Sequence, residues 1–185
     1  MNLNLKSMVK EEDPLLKRIT VITLALLAFG SWSPAMAYVL WGYKWASSTI
    51  SYECDMYGDY TTQCNNGKND WNSRTRANYV YGGSTAGVRT NAANYGNTGW
   101  SGLCSLAQVS GNTIRRADIS INTLYTDGYS SAQRKGVITH ELGHALGLSH
   151  EDRLGPGGAV MYSNDGRTVY SPTQDDINGV NAIYR

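Results

Sequence analysis

At 185 residues with a formal net charge of +1, the chain has the size of one ordinary domain and can bury a core without depending on disulfides. Beyond the N-terminal leader described next, twelve basic and twelve acidic residues remain, unsegregated by sign, which removes any electrostatic footing for nucleic acid or an anionic membrane surface. Tyr, Asn, Ser, Thr and Gly are abundant there and the single Phe lies in the leader, a composition that suits an exported, loop-rich globular domain.

The N-terminus carries Lys6, Lys10, Lys17 and Arg18 ahead of an apolar run from Ile19 to Gly30. That run is shorter than the roughly 20 residues a bilayer-crossing helix needs, and Ala35-Met36-Ala37 supplies the small residues a signal peptidase accepts. The expectation is a signal peptide at 1–37, cleaved after Ala37, and a single domain at 38–185. An uncleaved anchor is the rival reading; in both, the domain faces outward. Cys54, Cys64 and Cys104 all follow the expected cleavage site, where oxidation favours pairing. The odd count leaves one thiol over; Cys54 with Cys64 closes the shortest loop and is the favoured pair, with three reduced thiols as the alternative.

In chain order, Ser48 to Glu53 alternates as a strand does. Thr61 to Arg74 is polar, lacks Pro and leads to Trp71, which suggests a surface helix. Asn78 to Tyr81 reads as a second strand stopped by Gly82-Gly83. From Ala86 to Gly111 repeated Gly breaks the pattern, giving a long connection or a short-stranded region. Ala117 to Asn122 alternates again. Ser130 with Gln133 forms a capping-box pattern that opens a helix running to about Leu146 and stopping at Gly147. A last helix is expected with Ser171 as cap, Pro172 at its first position and Gln174 at its third, with Asp175 and Asp176 in the first turn. Ile177, Val180 and Ile183 or Tyr184 give it an inward face.

The first of these helices contains His140-Glu141-Leu142-Gly143-His144, followed by Ala145-Leu146-Gly147-Leu148-Ser149-His150. Residues four apart lie one turn apart on the same helix face, so His140 and His144 can point at one metal ion. Glu141 is rotated by roughly 100° from His140, off the metal but near a water bound to it. His150 can complete the set only if the chain turns, and Gly147 tolerates the positive φ such a turn needs. All three histidines of the chain occupy this one pattern.

The segment His140 to His150 resembles the extended zinc signature of the metzincin metallopeptidases. Ala159-Val160-Met161-Tyr162 looks like the Met-turn of that clan, and Ser171 to Tyr184 is similar to the final helix of its matrixin branch. The resemblance implies an α+β, zincin-like domain: a small twisted mixed β-sheet packed on an active-site helix, then the Met-turn and a C-terminal helix. It implies one catalytic Zn2+ on His140, His144 and His150, with Glu141 as general base of a secreted endopeptidase acting on proteins or peptides. Met161 is then a support beneath the ligands, and Asp175 and Asp176 tie the final helix to the Met-turn and the N-terminus. The loop Ser163 to Tyr170 would line the pocket for the residue after the scissile bond.

Three departures are visible: no histidine is left for a second zinc, Glu151 follows the third ligand where matrixins usually carry Ser, and no pro-segment with a cysteine switch stands between Ala37 and the domain. Asp165 and Arg167 read as solvated loop charges. Asp118 and Asp127-Gly128 offer oxygens of the kind Ca2+ takes, though turn chemistry accounts for Asp127-Gly128 equally well. A monomer is expected, with no nucleic-acid partner and no stable membrane association once the leader is removed. The competing function is a secreted zinc-containing binding module without turnover, against which an intact Glu141 argues. A third reading is a processing peptidase held at the membrane by an uncleaved leader.

Overall fold

The computed structural model describes residues 37–185; the expected leader and its cleavage position, Ala37 aside, lie outside the described residues. Five strands form one sheet: β1 (Thr49–Asp55), β2 (Asn78–Tyr81), β3 (Val88–Ala93), β4 (Gly102–Ser110) and β5 (Thr113–Asn122), in the order β2-β1-β3-β5-β4. Pairings are parallel except β4 with β5, so the sheet is mixed, as expected. The segment from Ala86 to Gly111 is short-stranded: it holds β3 and β4, and Gly111, at φ +57°, turns the chain back into β5.

Alternation decides which sheet face is buried. Ile50 and Tyr52 of β1, Val88 and Ala92 of β3, and Ala117, Ile119 and Ile121 of β5 point into one core. Two helices cover that face: α1 (Gly58–Arg74) and α3 (Ser131–Ala145), while α2 (Thr123–Thr126) is a single turn after β5. Despite its polar composition α1 is not a surface helix throughout. Tyr60, Gln63, Cys64, Gly67 and Trp71 recur at helical spacing and are buried, so a few large side chains at the right period replace a continuous apolar stripe. Trp71 donates its indole N–H to the Thr139 carbonyl at 2.9 Å, and Gly67 lets α1 approach α3 so closely that a Cβ there would meet Thr139 Oγ1 at 2.8 Å. Cys54 and Cys64 are bonded, clamping the end of β1 to α1, and Cys104 is unpaired and buried.

Both capping-box bonds predicted for α3 form between Ser130 and Gln133. The helix gives way at Gly147, at φ +102°, where an L side chain would be strained and would also run into the Tyr43 carbonyl. The extended N-terminal segment crosses this turn, with Trp41 N–H donating to Gly147 O and Ser149 N–H to Val39 O, both at 2.8 Å.

The last helix, α4, begins later than expected. It spans Gln174–Ile183 with Thr173, not Ser171, as its cap and Asp176, not Gln174, at the third position. The physical reason is the Asp176 carboxylate, buried at 1% exposure. It accepts Thr173 N–H at 2.7 Å and, outside the helix, Val160 N–H at 2.9 Å and Met161 N–H at 3.3 Å. A capping partner that binds three backbone donors outweighs the local Ser-Pro signal.

Candidate metal centre and its cleft

His140 and His144 stand on the buried face of α3, one turn apart, and the turn at Gly147 returns His150 to them. One ring nitrogen from each lies within 4.8 Å of the others, the only group of three or more His, Cys, Asp or Glu side chains so placed among the described residues. Orientation comes from the backbone. His140 Nδ1 is 2.9 Å from the Val160 carbonyl and His144 Nδ1 is 2.8 Å from the Leu148 carbonyl. A carbonyl only accepts, so both Nδ1 atoms carry the proton and both Nε2 lone pairs are left for another partner.

His144 Nε2 and His150 Nε2 stand 3.1 Å apart, close to the separation of two ligands each about 2.0–2.1 Å from a tetrahedral zinc. Burial depresses the basicity of all three rings, with His140 well below the ordinary imidazole value and His144 pushed down to about 4. Neutral imidazoles with converging ring nitrogens, two of them with the tautomer fixed by a backbone carbonyl, fit a zinc ion.

Glu141 is buried at 6% exposure against β4, where a Cβ at Gly102 would come within 2.5 Å of its Oε1. Desolvation pushes its carboxyl up to about 8, partly offset by the Arg167 charge and the Cys104 backbone amide. Gly102 is therefore a requirement of the site that no sequence signal announced. Below the ligands Met161 is 1% exposed, and Gly143 is small because a side chain there would strike its sulfur. Asp175 Oδ1 accepts the backbone N–H of Ala37 at 3.0 Å and of Tyr38 at 3.1 Å, so the two aspartates divide the N-terminus and the Met161 turn between them.

The three histidines and Glu141 open on a cleft of about 440 Å³, walled by Trp41, Gly102 and Leu103 and by the loop carrying Asp165 and Arg167. Here the expectation of solvated loop charges fails for Arg167, which is 5% exposed. Folding of the loop against the cleft buries it, and the Ser163-Asn164-Asp165-Gly166 run before it gives no hint of that in sequence. Of the candidate calcium residues, Asp118 pairs with Arg116 at 2.9 Å, and Asp127 Oδ1 accepts the Tyr60 hydroxyl at 2.8 Å.

A model of the family described as Matrixin matches residues 2–185. The chain belongs to the matrixin family. Interstitial collagenase of Equus caballus is 43% identical over 61 residues, covering 32% of this matrixin and 12% of that protein. Neutrophil collagenase of Homo sapiens is 47% identical over 51 residues, covering 26% and 10% respectively. This chain spans about a tenth of the length of these curated relatives. Among solved structures, a chain of the ECX AB5 holotoxin in its GM1-bound form gives a TM-score of 0.50 at 15% identity over 75% of this chain and 80% of that one, a likeness of fold alone. The α+β architecture of this matrixin is the metzincin fold.

Proposed function

We propose that this matrixin is a secreted zinc-dependent endopeptidase in which His140, His144 and His150 hold the ion and Glu141 is the general base. The observation that carries the reading is the convergence of the three ring nitrogens, two of them with the tautomer set by backbone carbonyls, beside a buried carboxylate in an open cleft. Bound zinc supplies Lewis acidity and brings the pKa of a water toward about 7.

The chain's own groups do the rest. Glu141 accepts a proton from the water that adds to the scissile carbonyl carbon and delivers it to the departing amide nitrogen, so that the C–N bond breaks to a carboxylic acid and an amine. Strand β4 lies at the edge of the sheet and its residues Gly102 to Cys104 border the cleft, which suits an extended peptide aligned by main-chain hydrogen bonds to that edge. Burial raises the proton affinity of the Glu141 carboxylate above that of an exposed one, which strengthens it as a base.

Glu141→Gln is expected to retain zinc, measured by metal analysis, and to lose cleavage of a protein substrate by at least about a thousandfold. An active, zinc-loaded Glu141→Gln protein sinks the assignment, and zinc-loaded wild type without any cleavage favours the binding-module reading. Secretion and leader removal rest on the Ile19 to Gly30 run and the Ala35-Met36-Ala37 site. N-terminal sequencing of exported protein is expected to begin at Tyr38; an intact leader in the exported fraction would favour an anchor.

A further inference from the structure

We propose that Arg167 makes the cleft select a substrate with an aspartate or glutamate flanking the scissile bond. The inference rests on the proteolytic reading for the existence of that bond, and on Arg167 for the preference.

Arg167 borders the same cavity as His140, Glu141 and His150, on the loop that follows Met161. Its side chain is 4% exposed, so water contributes little to its solvation and the protein has to supply acceptors. The supply is short. A guanidinium carries five N–H donors in a fixed fork. The Tyr162 carbonyl accepts from Nη2 at 3.3 Å, Asp165 Oδ1 lies 3.5 Å from Nη1, and buried Nε has no partner. Asp165 is not wholly committed to the arginine either, because its Oδ2 accepts the Tyr129 hydroxyl at 2.8 Å and its side chain is 29% exposed. The result is a buried cation with long bonds and unused donors, on the wall of a cleft large enough for a side chain.

The ligand class follows from what would sit against it. A carboxylate brings two acceptor oxygens and a full charge, the geometry a guanidinium binds most strongly. An apolar side chain would cover the donors and leave them unpaired, and a lysine would bring a second cation beside the first. Asparagine has nearly the shape of aspartate without its charge, so the Asp-to-Asn ratio isolates the contribution of Arg167. The competing reading is that Arg167 only braces its loop through Tyr162 and Asp165; a brace would lower activity toward all substrates alike and leave that ratio near one.

The test uses zinc-loaded protein and peptides that differ only at the residue on one side or the other of the cleaved bond: Asp, Asn, Leu or Lys. At one of the two positions kcat/KM is expected to favour Asp over Asn and Leu by at least about tenfold, with Lys lowest. In Arg167→Met the Asp-to-Asn ratio is expected to collapse to about one, and Arg167→Lys is expected to keep part of it. Equal rates for Asp and Asn at both positions in the wild type overturn the proposal, as does an unchanged ratio in Arg167→Met. If Arg167→Met does not fold, the wild-type ratio decides.

A second measurement separates this proposal from the proteolytic reading. Calorimetric binding of Asp- and Asn-bearing product peptides to zinc-loaded Glu141→Gln needs no turnover. An Asp preference of about tenfold that disappears on adding Arg167→Met supports the role of Arg167 even if no peptide is cleaved. Equal binding of the two peptides counts against it even if cleavage is brisk.

Discussion

Between Thr49 and Ala145 the backbone is satisfied largely by strand ladders and helices, whereas between Gly147 and Thr173 there is no helix and no strand, and carboxylates, two of them buried, take over. Glu151, 1% exposed, accepts Arg153 N–H at 2.9 Å and pairs with the Arg153 guanidinium. Asp152 accepts Ser163 N–H at 2.9 Å, and Asp176 accepts Val160 and Met161. The upper region is held mainly by apolar burial, which tolerates repacking. The lower one is held by directional bonds, each with few substitutes. The metal centre needs both, because α3 presents His140 and His144 while the Val160 and Leu148 carbonyls orient their rings.

The comparison breaks most sharply by attacking each region in turn. Trp71→Ala removes the largest fully buried side chain of the upper region and its bond to Thr139, and is expected to cost about 4 kcal/mol, measured as a fall in the urea midpoint, with zinc affinity of the folded protein little altered. Asp176→Ala leaves the buried Val160 and Met161 amides without an acceptor, a loss of about 3 kcal/mol. Because Val160 also orients His140, zinc affinity in a competition titration is expected to fall about tenfold as well. If the two variants lose affinity equally, the lower region has no special part in building the site.

The same division explains what was legible in the sequence. Helix α3 could be read from Ser130 to Gly147 because its cap, its ligand spacing and its stop signal agree, and β2 matched residue for residue because Gly82-Gly83 ends it. Helix α1 was legible in its end at Arg74 but not in its start, at Gly58 rather than Thr61, nor in its burial, since only a few large residues on a polar helix carry its packing. Below Gly147 local rules failed. The Ser171-Pro172 start for α4 lost to Asp176, whose decisive partners Val160 and Met161 lie 16 and 15 residues away in sequence. Arg167 read as solvated because nothing in its neighbours reports that the loop folds against the cleft, and Gly102 is demanded by Glu141, which is distant in sequence and adjacent only once β4 is in place.

The smallest expected effect concerns the seam between the regions in the metal-free protein, where the titrating groups of α3 and His150 meet. An imidazole whose folded pKa lies below its unfolded value of 6.5 binds fewer protons folded than unfolded, so its contribution to stability is lost as pH falls below 6.5. His144, at about 4, and the depressed His140 and His150 all act in this sense. Glu141 acts in the opposite sense. Its folded carboxyl, near 8 against 4.5 unfolded, keeps a proton that the unfolded chain releases, so its contribution is lost as pH rises from 4.5 through 8. Between pH 4.5 and 6.5 the two oppose each other, and the imidazoles outnumber the carboxyl. Between 6.5 and 8 Glu141 acts without them, a loss on the order of 2 kcal/mol over the interval. Chelator-treated protein is therefore expected to be most stable near pH 6.5, with urea midpoints falling on both sides. Glu141→Gln should flatten the alkaline limb and leave the acid limb. A wild-type midpoint that does not change between pH 6.5 and 8 would mean that Glu141 is already ionised in the metal-free site, and that the Arg167 charge and the Cys104 amide outweigh its burial.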